Sequence, residues 1–290
     1  MKIILSSIFL LMMLIVLGAC DSKVEDKNIN IVYLHHSTGR VIWNGKQSSA
    51  IAKRILNKST KVAGFLGIQA ELPRLFDNYN TLKKVNYQIT EMTFPKASPY
   101  GWNNYPYDYY NIWVKHAEEA YYLEEPTLEA LSAMYDVIIF KHCFPVSNIE
   151  ADSDSSNVDS EEKTIGNYKL QYLALKKKLL SFPETKFVLW TPTALVKNAT
   201  NEEESERANQ FYNWVKEEWD RNGDNIYLWD FRQLQTEGGL YFKEEYAQST
   251  NDSHPNQNFA NIAVNKLFNR LIDIIENKGQ GTSLTGEEIK

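Results

Sequence analysis

Cysteine is almost absent from this chain of 290 residues, which has only Cys20 and Cys143. So little sulfur rules out a disulfide framework, and stability has to come from a core. Apolar residues make up 43% and aromatics 13%, enough to bury one. Positive charge is also scarce. Against 37 Asp and Glu stand 31 Lys and Arg, a formal net charge of -6 that argues against a nucleic-acid partner, which would need a basic face. No internal repeat and no proline- or glycine-rich linker divides the body, so one large domain is expected. A G-x-S-x-G turn is missing as well, which excludes hydrolases built on a nucleophile elbow.

The longest apolar run lies at the start. Lys2 followed by IILSSIFLLMMLIVL reads as a secretory signal, too short and too early for a spanning helix. It ends in Leu17-Gly18-Ala19-Cys20, which resembles the lipobox of bacterial lipoproteins. The resemblance implies removal of residues 1–19, lipidation of Cys20 and a polar tether over 20–28. The body would then be held at a membrane of a bacterial cell envelope, periplasmic or surface-exposed. Loss of Lys2 with the signal would take the formal charge from -6 to -7.

Downstream, short apolar runs alternate with amphipathic ones. NINIVYLHH (28–36), VNYQITEMTF (85–94), YDVIIF (135–140), KFVLWT (186–191) and NIYLWDF (225–231) read as strands, the middle ones apolar enough to be covered on both faces. The spacing predicts helices over 66–78, 166–182, 201–221 and 258–277. This alternation implies an α/β fold, a three-layer αβα sandwich around a five-stranded parallel sheet of flavodoxin-like order 2-1-3-4-5. The domain spans 29–278, and GQGTSLTGEEIK (279–290) reads as a disordered tail.

In such a sheet the carboxyl edge gathers the reactive residues. The first strand runs out into His35, His36 and Ser37, and the third into Lys141, His142 and Cys143. The late segment STNDSHPNQNF (249–259) brings His254, fixed by Pro255, to the mouth of the last helix. Ser37 as nucleophile and His254 as base would form a hydrolase pair. Asp252 is the nearest acid to hold the imidazole, with Asn251 or a main-chain carbonyl as alternatives. His35 and His36 are adjacent on a strand and point to opposite faces, so they cannot share one metal site, and no metal or other cofactor is expected. The acids of 150–162 lack the glycine and final glutamate of a calcium loop and read as a solvated segment.

With Ser37 in HHSTG after the first strand, and Asn251-Asp252-Ser253-His254-Pro255 before the last helix, the chain resembles the SGNH (GDSL-type) hydrolases and esterases. The resemblance implies serine-dependent cleavage of O-acyl esters. It departs from the family where His35-His36 replace Gly-Asp, and where Asn251 stands in place of the acid three residues before the histidine. The family also implies oxyanion donors. These would be the Ser37 amide, a glycine after the second strand (Gly101) and an asparagine after the third (Asn148, with Asn103 or Asn104 as substitutes).

Finally, SPYGWNNYPYDYYNIWVKHAEEAYY (98–122) crowds Tyr and Trp rings into a loop. Tyr109, Ile112 and Trp113 read as core. Trp102, Asn103, Asn104, Tyr105 and Tyr107 read as the wall of a cleft suited to sugar rings. The expected partner is an acylated glycan or another small ester. A non-catalytic glycan-binding lipoprotein and a carbohydrate O-acyltransferase are the alternatives.

Overall fold

Five short runs of β-branched and aromatic residues pair side by side in the computed structural model, which describes residues 28–47, 49–58, 60–152 and 155–289. They are β1 (Asn28–His35), β2 (Asn86–Thr93), β3 (Val137–Phe140), β4 (Lys186–Trp190) and β5 (Ile226–Trp229). All pairings are parallel and the spatial order is β2-β1-β3-β4-β5, as the alternation implied. The register sets Leu34 opposite Met92, Tyr33 opposite Ile139, and Val188 opposite both Ile139 and Tyr227.

Because alternate residues of a strand face opposite ways, each strand feeds two cores. Ile31, Tyr33, Ile139, Val188, Trp190 and Trp229 pack on one side, beneath helices α1 (Ser37–Asn44), α2 (Glu71–Lys83) and α5 (Gln257–Asn277). Val32, Leu34, Ile138, Phe140, Phe187 and Leu189 pack on the other, beneath α3 (Ile165–Leu179) and α4 (Glu202–Trp214). The fold is therefore a three-layer α/β sandwich. Full burial of such side chains contributes about 1.5–3 kcal/mol each, and this two-sided packing does the work that disulfides cannot.

Two expectations need correction. The helix expected over 66–78 begins at Glu71, after two shorter helices, Ala50–Lys58 and Thr60–Phe65. Starting there puts Pro73 in the first turn, where its missing N–H costs nothing, rather than mid-helix where it would break the ladder. The tail is not disordered. Asp273, buried on α5, accepts hydrogen bonds from the Gly281 amide (2.8 Å), the Thr282 amide (2.8 Å) and the Thr282 hydroxyl (2.7 Å). Arg270 donates to the Gly279 carbonyl at 2.8 Å, and the Leu284 carbonyl accepts from the Asp230 amide at 2.8 Å. Polar contacts hold this segment, so a reading based on apolar periodicity could not see it. The expected signal, Cys20 and the tether up to Lys27 lie outside the described residues.

Asp273→Ala would leave two tail amides without their acceptor and Arg270 without its carboxylate partner. A loss of about 3 kcal/mol is expected from removing one partner of such a buried network. Urea unfolding measures it, and an unchanged midpoint would mean that the tail adds nothing to stability.

Candidate active site

Strand β1 passes into α1 with a single residue between them. His36 is that junction, with extended backbone (φ -121°), and its side chain does not cap the helix. Ser37 is therefore the first helical residue, and the first-turn amides of α1 have no partner within the helix. So abrupt a turn seats α1 hard against its own strand. A Cβ on Gly39 would lie 2.3 Å from the His35 Cβ, so only glycine fits, and its carbonyl accepts from the Tyr33 hydroxyl at 3.1 Å. The serine–threonine–glycine run is a helix start, not a simple turn.

The other half comes from a hairpin pairing Ala247–Ser249 with Asp252–Pro255. Its position is fixed from three sides. The buried Ser253 hydroxyl accepts from the Val196 amide at 3.0 Å, beyond the end of β4. Asn256 caps α5 by accepting from the Phe259 amide at 2.9 Å, and its Nδ2 donates to the Glu245 carbonyl at 2.7 Å.

His254 thus reaches Ser37 across 217 residues of sequence, with Nε2 2.8 Å from the serine Oγ. Its Nδ1 lies 2.6 Å from Asp252 Oδ1, which also accepts from the His254 amide at 3.0 Å. These two contacts, the amide first, hold the Asp252 carboxyl below its usual range. An ionised Asp252 accepts a hydrogen bond from Nδ1–H, which fixes the tautomer and leaves Nε2 bare to accept from the serine hydroxyl. Nδ1 meets Asp252, not Asn251 or a main-chain carbonyl, the alternatives for orienting the ring, and the Asn251 amide donates to Ser249 Oγ at 3.3 Å. Phe144 packs edge-on against the His254 ring, 5.5 Å between centroids.

The histidines before Ser37 hold the junction together. His35 is fully buried, with Nε2 2.9 Å from Glu91 on β2 and Nδ1 2.9 Å from the His36 carbonyl. His36 Nε2 contacts the Pro95 carbonyl. Burial, and secondarily the charge of Lys141, lowers the His36 pKa against the pull of that carbonyl. His142 faces the other layer, boxed by Tyr109 at 4.5 Å and Tyr172 at 5.4 Å, and burial holds it well below its ordinary value. Among the described residues no three His, Cys, Asp or Glu side chains are grouped to hold a metal ion.

Several expected donors are engaged elsewhere. The Gly101 amide donates to the Ala97 carbonyl within its own turn, at φ +73°. Asn148, with its amide oriented to suit its neighbours, donates to Thr200 Oγ1 at 2.8 Å and to Glu204 at the start of α4. Asn104 is fully buried. Its Nδ2 donates to the Phe94 carbonyl at 2.9 Å, and its own carbonyl accepts from the Cys143 amide at 2.7 Å, so it splices two loops. Asp108, whose carboxyl burial raises to about 7, fixes that loop by accepting from the Asn104 amide at 2.6 Å. Tyr105 is core, 2% exposed, and donates to the Glu161 carbonyl. Asn103 is exposed, while Trp102 and Tyr107 are half-buried.

Trp102 belongs to an aromatic strip formed within the stretch 98–122. It lies between Tyr100 (6.3 Å) and Tyr122 (6.5 Å), and Tyr122 stacks on His116 at 3.5 Å. The Trp102 indole N–H is buried without an acceptor.

No family model matches the chain, and no curated protein matches it. Among solved structures it is similar to a carbohydrate esterase whose active site is described as displaying divergent catalytic and non-catalytic binding functions. Identity is 15% and the TM-score 0.37, over 84% of this chain and 65% of the other, so the chain spans just under two thirds of that protein's length.

Gly39→Ala is expected to push α1 off β1 and carry Ser37 with it. Overpacking of this kind costs roughly 1–3 kcal/mol. A thermal melt reads the loss, and unchanged stability would show that the seat has slack.

Proposed function

We propose that the protein is a serine hydrolase that cleaves O-acyl esters, with Ser37 as nucleophile, His254 as general base and Asp252 as the group that orients it. The observation that carries this reading is the unbroken relay from Ser37 Oγ to His254 Nε2 (2.8 Å) and from His254 Nδ1 to Asp252 (2.6 Å). Both spacings lie within the range that proton transfer requires. Attack by Ser37 on the acyl carbonyl hands its proton to Nε2, and the imidazolium is stabilised by Asp252. Collapse releases the alcohol, which takes that proton, and water repeats the cycle on the acyl-enzyme. The uncapped start of α1 supports the reading too, because the Ser37 amide is free to face the developing oxyanion.

The ester is carried on a glycan. Tyr100, Trp102 and Tyr122 offer ring faces beside a loop that starts where His36 meets Pro95. Aromatic faces with a few polar edges suit sugar rings. The family reading, a divergent SGNH-type esterase, fits the strand order and the positions of Ser37 and His254.

Ser37→Ala should lower hydrolysis of an acetylated oligosaccharide by on the order of 10³-fold or more, with the fold retained. An active-serine probe such as a fluorophosphonate should label the native protein and fail on the variant. A pure, folded Ser37→Ala protein cleaving at the native rate would sink the mechanism.

The anchor belongs to the same proposal. Lipidation at Cys20 follows from the Leu17-Gly18-Ala19-Cys20 run. Two or more acyl chains give stable membrane attachment. Cys20→Ser should shift the expressed protein from the detergent phase to the aqueous phase. Equal partitioning of both forms would remove the anchor.

A further inference from the structure

The carboxyl end of β3 leaves the sheet through Lys141, His142, Cys143 and Phe144, the last of which packs against His254. Tyr33 of β1 pairs with Ile139 of β3. His35 and Lys141 each follow two residues later, so they leave neighbouring strands on the same face. On one side of Lys141 lies the His35–His36 junction, and beyond Cys143 lies Phe144, whose ring touches His254.

Lys141 is 1% exposed, and the acceptor of its Nζ is Cys143 Sγ at 3.4 Å. Sulfur is a weak acceptor. Other buried cations of the chain are better provided for. Arg270 has Asp273, and Arg232 donates to the Thr193 and Leu240 carbonyls. Among the described residues no carboxylate forms an ion pair with Lys141. After burial, its charge is a lesser cause that lowers the pKa values of its neighbours His36 and His142.

Burying an ammonium with nothing but a thiol to hold is unfavourable, and negative charge forming nearby relieves it. The Gly101 amide and the Asn148 side chain, the donors expected to meet such charge, are engaged elsewhere. We propose that Lys141 supplies the positive charge that stabilises the oxyanion formed on Ser37 attack. This inference rests on the serine-hydrolase reading. As the Oγ–carbon bond forms, the carbonyl π pair moves onto oxygen and the serine proton passes to His254. Collapse restores the C=O bond and expels the alcohol, which takes the proton. Lys141 exchanges no proton; its field acts only while the oxygen is charged.

The test uses Lys141→Met and Lys141→Gln in the full protein, beside native protein and Ser37→Ala. With a neutral acetyl ester, kcat should fall about 10- to 100-fold in both variants while KM changes little. Affinity for a boronic acid that forms a tetrahedral anion on Ser37 should fall by a similar factor. Melting temperature should hold or rise, because an uncompensated buried charge has gone. Native kcat and boronate affinity in either variant would overturn the inference, as would loss of folding in both, which would make Lys141 structural. An effect confined to KM for anionic esters would overturn it too, making Lys141 a seat for a substrate carboxylate. A native protein that cleaves no ester, or an active Ser37→Ala, removes the hydrolase reading and this inference with it. Unchanged Lys141 variants of an active enzyme remove this inference alone.

Discussion

The site depends on how closely α1 lies against β1. One residue, His36, separates the strand from the helix, and no side chain larger than hydrogen fits at Gly39, where a Cβ would meet His35 at 2.3 Å. That contact leaves Ser37 at the rim and sends Thr38 inward. It also explains why two histidines stand where a looser turn would serve. His35 ties the junction sideways to Glu91 on β2, and His36 ties it to Pro95 just beyond β2. The ends of β1 and β2 beside Ser37 are thus tied together, as a pre-organised site requires.

The partner is held by different means. His254 lies on a short hairpin whose rigidity is borrowed from the β4 exit through Ser253 and from the α5 cap through Asn256. Asp252 sits only two residues away and is half exposed, with 47% of its side chain accessible. In water such a carboxylate holds an imidazolium less strongly than a buried one would. Its firmer contribution is geometric, because the same oxygen accepts from both the ring and the amide of His254 and so fixes the ring's direction.

Sequence patterning carried the architecture because β-branched runs and amphipathic intervals are local signals. The strand order follows from them, and Ser37 and His254 draw notice because their neighbours mark a strand exit and a helix mouth. Local signals failed wherever a residue's partner is remote. Asn104 reads as a polar loop residue but is buried between the Phe94 carbonyl and the Cys143 amide. Asn148 reads as a free amide but is spent on Thr200 and Glu204. The tail reads as disordered because its order comes from Asp273, which periodicity treats as one more polar position on a helix. Tyr122 and His116 entered the aromatic strip only through the path of the chain between β2 and β3.

The two layers of the sandwich also have unequal tasks, and the difference bears on what the site can tolerate. Behind the sheet from α1, Phe94, Tyr109, Trp113 and Phe140 interlock at 4.8–5.7 Å and support the loop that carries Asn104 and Trp102. Such rings contribute through area and edge-to-face geometry without needing charge. That face can absorb His142, buried with both ring nitrogens unpaired, because it stays neutral there. Lys141, one residue earlier, turns to the other face, where the acceptor of its Nζ is the Cys143 sulfur. A fold that needed only stability would place a Met there, so the retained ammonium is the feature that packing does not explain and that charge developing at the sheet edge would.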